Sequence, residues 1–588
     1  MTGAEDPGVR VARRRLRLLS AVFTLALGAL GLRLVDLAFT VDEVISSPAM
    51  ATAAVQGGRA DIVDRNGFLL ATDYLKTSLF ADPAEVIDVG RTAERLARVL
   101  PVLDLATLRQ KLARPGRFVW LKRHLTDAEQ QAIIRLGLPG IRFRTEMHRV
   151  YPQRELTAHL VGYVGIENQG LAGIERSFEE RLRAPGRQDD PLVLTLDLRV
   201  QEIVRSELAE AVERFRAEGA SGVVLDATNG EILGMVSLPD FDPNHYERAQ
   251  PAARFNRSTQ GTYEVGSLFK LFTAAMALDG GAAAIGDRLD AIEPLRFGRF
   301  RIGDFHAKRR ILSVPEVIAF SSNIGVAQMA MALGLEQQQA YLGRFGLLER
   351  HPLRLPEVAD PQLPSPWRPI NGVTIAYGHG IAVSPLQVAD ALAGILCGAP
   401  WQRAHLVPED LPPAVRTAPV RPETGAMLRW LMWLTVERGT GGQAAVPGYL
   451  VGGKTGSADK VGRGGYRDGG LLSSFIGAFP MQAPRFVVLA VLDRPKGDAR
   501  TFNLAHGGWT AAPVVGRIIA RTGPLLGLAP EAAEARGWFD ERLRIGHAFN
   551  GRLKRTEESY EAARGASWAI GGVNGIEACG CPRCSTLM

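Results

Sequence analysis

Tyr263-Glu-Val-Gly-Ser-Leu-Phe-Lys270 runs straight into an apolar pattern at helical spacing: Leu271, Phe272, Ala275, Met276 and Leu278. Ser267 therefore stands in the first turn of a predicted helix, where backbone N–H groups lack an intrahelical acceptor and are free to face an oxyanion. Residues three apart on a helix share a face, so Lys270 is expected to reach back toward Ser267. Burial and a neighbouring cation lower a lysine pKa and turn the amine into a base. Taken alone, the spacing equally describes a helix-capping serine and a solvated lysine. Ser457-Ala-Asp-Lys460 repeats it on a segment of strand character.

Two later motifs change that balance. Ser321-Ser-Asn323 offers a hydroxyl able to pass a proton between Lys270 and an amine, and an amide, Asn323, able to hold a substrate amide. Lys454-Thr-Gly456 on an edge strand offers a cation and the Thr455 hydroxyl for a carboxylate. Gly456, without a side chain, is expected to let a peptide lie against the strand. The N–H groups of Ser267 and Ser457 form the expected oxyanion-hole pair, and one such donor is typically worth about 3 kcal/mol. The chain holds 69 Lys plus Arg, of which only nine are Lys, and two of the nine stand in these motifs. Arginine stays protonated at working pH whereas lysine can exchange a proton once its pKa falls, so Lys appears where acyl transfer needs one.

The surrounding pattern predicts the fold. Leu194-Thr-Leu-Asp197 opens a unit whose first helix carries Val200, Ile203, Val204 and Leu208. Two apolar runs between Val223 and Val236 flank Asn229-Gly230, a hairpin signal. Val451 to Ser457, Leu472 to Pro480 and Arg485 to Leu492 read as successive strands, and Ala511 to Ile519 as a helix. Strands at both ends of the unit, with helices between, predict an α+β domain over residues 194–540. Its central antiparallel sheet is closed by early and late strands and flanked by helices, with a helical subdomain inserted.

At 588 residues the chain is expected to hold more than one globular unit. Residues 40–193 mix short strand-like and helical pieces, with an Asn66-Gly67 turn signal and no nucleophile–base pairing, and read as a non-catalytic module. The net charge of 69 − 62 = +7 comes from Arg spread along the chain. No basic stripe or known motif points to nucleic acid. Cys397 sits in an apolar run and reads as core. Cys579, Cys581 and Cys584 crowd a polar, Gly-rich tail (541–588) and fall one ligand short of a closed zinc site, so neither metal nor cofactor is expected.

Arg10, Arg13, Arg14, Arg15 and Arg17 precede an apolar stretch from Leu18 to Phe39, interrupted by Arg33 and Asp36. This bias places residues 1–17 in the cytoplasm and exports the rest. Leu18 to Leu32 alone is short for a span; residues 18–39 suffice if Arg33 snorkels or is paired. The Ala-x-Ala sites at Ala49–Ala51 and Ala51–Ala53 lie far beyond the apolar run, so an uncleaved single-pass anchor is expected.

The ordered triple resembles the active site of the class B penicillin-binding proteins. Tyr263 to Lys270 is similar to the family's YEPGSTFK, with Val265 for Pro and Leu268 for Thr. Gly58 to Gly67 resembles its RGxIxDRNG block, with Ala60 for Gly. Arg149-Val-Tyr-Pro152 and Gly170-Leu-Ala-Gly-Ile-Glu175 resemble later non-catalytic blocks. The resemblance runs from the anchor to about residue 525. It implies an elongated α/β pedestal of the dimerisation type over 40–193, and a transpeptidase domain that takes stem peptides ending in D-Ala-D-Ala. It also implies covalent inhibition by β-lactams at Ser267. Ser473 to Pro480, Val491 to Gly497 and Gly508 to Pro513 resemble the division-specific branch. That implies an inner-membrane protein with a periplasmic catalytic domain at the septum, partnered by the glycan polymerase FtsW and other divisome membrane proteins. An elongation-specific transpeptidase would share every catalytic residue. A β-lactam hydrolase or sensor is a further alternative, as is a scaffold without activity; the large preceding module, the short cytoplasmic segment and the intact motifs speak against them.

Overall fold

The computed structural model describes residues 15, 17–33, 58–187, 189–408, 417–460 and 470–530. Helix α1 (Leu198–Phe215) leads into strands β1 (Gly219–Asp226) and β2 (Ile232–Leu238). These two form the hairpin expected at Asn229-Gly230, with Gly230 at φ +81°. Strands β3 (Gly452–Asp459), β4 (Leu471–Phe479) and β5 (Phe486–Asp493) come more than two hundred residues later and complete one antiparallel sheet in the order β3-β4-β5-β1-β2. The early and late strands meet between β1 and β5, as the sequence pattern predicts.

Strands β1, β2 and β5 are buried throughout. Successive side chains leave a strand on opposite faces, so a continuous apolar run feeds two cores at once. Val223, Leu489 and Val491 join one core, together with helices α2 (Phe269–Asp279), α5 (Pro385–Cys397) and α6 (Pro422–Arg438). Val224, Val488 and Ala490 join the other, beneath α1 and α7 (Ala511–Leu525). Cys397, at the end of α5, is buried. Between α2 and α5 the inserted segment carries four helices, the first two being α3 (Val314–Ala319) and α4 (Asn323–Leu333), and two small two-stranded sheets.

The described residues fall into two compact units. Tyr74–His148 and the N-terminal residues to Gly58 make one; Arg59–Asp73 and the chain from Arg149 make the other. In the first, helices Val89–Val99, Leu105–Leu112 and Asp127–Ile134 pack Leu96, Leu108, Leu112 and Ile133 against Leu79, Val119 and Leu121 of a sheet. Asp88, Asp104 and Thr126 cap these helices, Thr126 in a capping box with Glu129.

In the second unit the blocks around Arg59, Arg149 and Glu175 converge on one buried ion cluster. Glu175 accepts from Arg59 Nε and Arg149 Nε, each at 2.7 Å, and all three side chains are fully buried. Glu179 and Asp73 take further guanidinium contacts. Asp64, of the same region, accepts the N–H groups of Asn66 and Phe68 to form the predicted turn, and that of Leu198 at the start of α1. Removing one partner of a buried ion pair costs about 3–5 kcal/mol because the other charge is left uncompensated. Glu175→Ala is therefore expected to lower the thermal midpoint steeply, while Glu179→Ala, at a partly exposed position, lowers it little; scanning calorimetry separates the two.

Residues 17–33 are helical, with Leu18, Phe23, Leu25 and Leu32 exposed. Among the described residues no helix is long and apolar enough to cross a membrane. Residues 34–39 of the expected anchor lie outside the described residues, as do Ala49–Ala53 and the tail with Cys579, Cys581 and Cys584.

Candidate active site

Ser267 occupies a single 3-10 turn, Gly266–Leu268, that feeds directly into α2. This turn packs against β3. A Cβ at Gly266, which sits at φ +54°, would stand 2.6 Å from the Ser457 carbonyl oxygen. A Cβ at Gly456 would stand 2.7 Å from the Val265 carbonyl oxygen and against Ser474 Oγ. Gly456 is thus required by the seat of the Ser267 turn on the strand. Gly456→Ala is expected to displace Ser267 and cut its acylation by penicillin on the order of 100-fold, as displacements near 1 Å do. A stopped-flow acylation assay reads this.

Lys270 and Lys454 meet at Ser321. Both are fully buried. Lys270 Nζ donates to Ser321 Oγ at 3.0 Å and to the Ser321 carbonyl at 2.5 Å. Lys454 Nζ donates to the same Oγ at 2.9 Å and to Thr455 O and Oγ1. Among the described residues no hydrogen bond joins Lys270 to Ser267, although both line one cavity. The turn at Ser267 is 3-10 rather than α, and the Lys270 side chain goes across to the bend after α3. Burial pushes the Lys270 amine down to about 7, with the Asp304 carboxylate pulling it the other way. Burial depresses Lys454 strongly as well, and the Lys270 charge adds to that. Two buried amines on one hydroxyl disfavour a second proton, so the Lys270 charge helps hold Lys454 down, while Lys270 itself is lowered by burial.

Ser321 takes φ +61°, a left-handed conformation that costs a side-chain-bearing residue on the order of 1 kcal/mol. The bend separates α3 from α4 and aims the hydroxyl at both lysines. It is held by Asp304, a residue the motif reading did not single out. Asp304 accepts from Ser322 Oγ at 2.7 Å and from the N–H groups of Asn323 and Ile324 at the start of α4. Asn323 itself donates to the Gly303 carbonyl. Asp304→Ala is expected to slow acylation about 10–100-fold through misplacement of Ser321. With the nearby anion gone, the Lys270 pKa falls, so the acid limb of the acylation profile moves to lower pH; a pH–rate series checks the sign.

Ser267, Lys270, Ser321, Asn323, Thr455 and Ser457 line one cavity of about 610 Å³. Lys454 and Gly456 stand behind this wall. Ser457 Oγ accepts from the Gly507 N–H, and Thr455 shares a hydroxyl contact with Thr440 at 2.9 Å. Thr440, Tyr377, His379, His306, His506 and Trp509 also face the cavity and escaped the motif reading. Only the Gly-rich Gly439-Thr-Gly-Gly442 run marks one of them in sequence. The lysine of the second Ser-x-x-Lys match is not part of the site: Lys460 pairs with Asp493 at 2.6 Å. Among the described residues no His, Cys, Asp and Glu cluster fits a metal ion.

A nucleophilic serine beside two depressed lysines and a hydroxyl relay supports acyl transfer without a metal ligand set. Residues 220–520 match the penicillin-binding protein transpeptidase domain, and residues 54–188 match the penicillin-binding protein dimerisation domain. The chain is a class B penicillin-binding protein. Among relatives of this penicillin-binding protein, the "Probable peptidoglycan D,D-transpeptidase FtsI" of Caulobacter vibrioides is 39% identical over 81% of this chain and 82% of its own length. The peptidoglycan D,D-transpeptidase FtsI of Escherichia coli K12 is 31% identical over 81% and 85%. A crystal structure of a peptidoglycan synthetase from Bifidobacterium adolescentis, 21% identical, shares the fold with a TM-score of 0.64 over 81% of this penicillin-binding protein and 96% of that chain.

Proposed function

We propose that this penicillin-binding protein is a septal peptidoglycan D,D-transpeptidase of the FtsI type. The observation that carries the chemistry is the Ser321 hydroxyl, which receives both buried lysines beside Ser267. Neutral Lys270 takes the Ser267 proton as Oγ attacks the penultimate D-Ala carbonyl of a donor stem peptide. The N–H groups of Ser267 and Ser457 receive the oxyanion, and Asn323 holds the donor's amide. Thr455 holds the terminal carboxylate, with Lys454 behind it donating to the Thr455 hydroxyl. Ser321 passes the proton to the departing D-Ala amine as the ester forms. An amine of a neighbouring stem peptide then attacks that ester, losing its proton along the same path, and Ser267 is restored.

In this reading residues 40–193 are the pedestal and 194–540 the transpeptidase domain. Residues 18–39 anchor the chain in the inner membrane, with the catalytic domain in the periplasm at the division site and FtsW as the membrane partner. The matches to FtsI proteins support the division role. Depletion in the source organism is expected to give filaments with unfinished septa, scored by microscopy. Rounded cells would assign the protein to elongation instead.

A further inference from the structure

The inserted segment carries an unusual concentration of unpaired positive charge. Strands Leu295–Phe297 and Phe300–Ile302 form a hairpin whose register sets Arg296 directly opposite Arg301. Like charges placed opposite each other across a ladder destabilise it. The other face of the hairpin is apolar and docked: Ile302 is buried with Ala327 and Val373, and Leu295 and Phe297 pack there too. Arg296, Arg301 and the turn residue Arg299 are all exposed. From Pro294 to Arg310 there are six Lys and Arg against a single carboxylate, Asp304, and that carboxylate is committed to the Ser321 bend. Arg310 pairs with Glu316. Among the described residues, Arg296, Arg299, Arg301, Lys308 and Arg309 make no ion pair. The same segment supplies Phe305 and His306 to the rim of the catalytic cavity. A repulsive, solvent-facing row of cations leading to the mouth of an active site fits an anionic substrate better than it fits stability.

We propose that this hairpin binds the carboxylates of the peptide-bearing cell-wall polymer and guides the strand toward Ser267. The proposal rests on the transpeptidase reading, because the polymer's stem peptides are polyanions whose reactive ends must enter that cavity. The contact is electrostatic and exposed, so it is screened by salt with a Debye length of about 10 Å at 0.1 M.

The test uses the full-length protein in a neutral detergent. Its probe is un-cross-linked glycan strands bearing pentapeptide stems, with the same strands after amidation of their carboxylates as a control. Arg296→Ser/Arg301→Ser is expected to weaken strand binding about tenfold, each exposed charge contact being worth a factor of a few. Its thermal midpoint should stay equal or rise as the cross-strand repulsion is removed. Arg296→Lys/Arg301→Lys should bind as the wild type does. Wild-type binding should weaken with salt and with amidation, while the rate of Ser267 labelling by a small penicillin stays constant in every variant. Unchanged affinity in the double Ser variant, or equal binding of amidated strands, overturns the proposal. So does a preference for phosphatidylglycerol vesicles over strands, which would make the patch a lipid contact. If the wild type itself fails to label at Ser267, the transpeptidase reading falls; normal labelling with unchanged strand affinity removes only the role of the hairpin.

Discussion

Ser267→Ala is expected to abolish the covalent adduct that the protein should form with labelled penicillin. As the proposed nucleophile, Ser267 lies on the cavity wall just before α2, in the cavity that Lys270 and Ser321 also line. The serine and threonine hydroxyls beside it are engaged: Ser321 receives two amines, Ser457 accepts from Gly507, and Thr455 contacts Thr440. Loss of a serine nucleophile from an acyl-transfer site lowers turnover by factors on the order of 10⁶, so no slower covalent step should be visible over hours. Gel fluorescence after incubation, followed by peptide mapping, reads the result. A labelled Ser267→Ala protein would mean that another side chain carries the chemistry. The fold should survive, because Ser267 is only half-buried and the change removes no buried charge.

Lys270→Arg should slow acylation about 10²–10⁴-fold, the usual contribution of a positioned general base. Arginine keeps the positive charge but never accepts the serine proton at working pH. In the proposed mechanism the active form of Lys270 is the neutral amine. With its pKa pushed down to about 7, acylation should rise through neutral pH and level off above it. The variant should lose that limb, which a merely structural lysine would not produce; an unchanged profile would remove Lys270 from the base role. The same depression has a consequence for folding. Between about 7 and the ordinary lysine value of 10.5 the unfolded chain binds a proton at this position that the folded chain does not. Stability therefore rises with pH across that window and stays at its lower level beneath it. Lys454, also depressed by burial, acts in the same direction.

The sheet was legible because its signals are local. Asn229-Gly230 between two apolar runs is a hairpin wherever it occurs, and the strands after Lys454 are marked by apolar runs bounded by Gly and Pro. The membership of the site was legible as well, since each motif contributes its own hydroxyl, amide or amine. The hydrogen-bond partner of Lys270 was not. A three-residue spacing fixes the shared face only in a regular α-helix, and Ser267 lies in a 3-10 turn just before one. Asp304 was invisible because its partners Ser322, Asn323 and Ile324 reach it only after the inserted segment folds back.

By itself the sequence determined the chemistry available and the order of elements: a serine, two rare lysines, a serine-asparagine bend, and strands at both ends of one domain. These follow from residue type and short-range periodicity, which need no neighbours from elsewhere in the chain. Only the tertiary structure decided that Ser321 is the meeting point of both lysines, which lie 51 and 133 positions away from it. It alone decided that Gly456 is a packing requirement, and that two arginines face each other across a hairpin near the cavity mouth. Those properties belong to contacts between distant segments. The pKa of a lysine or the cost of a Cβ is set by what closes around it, and only the folded chain provides that surrounding.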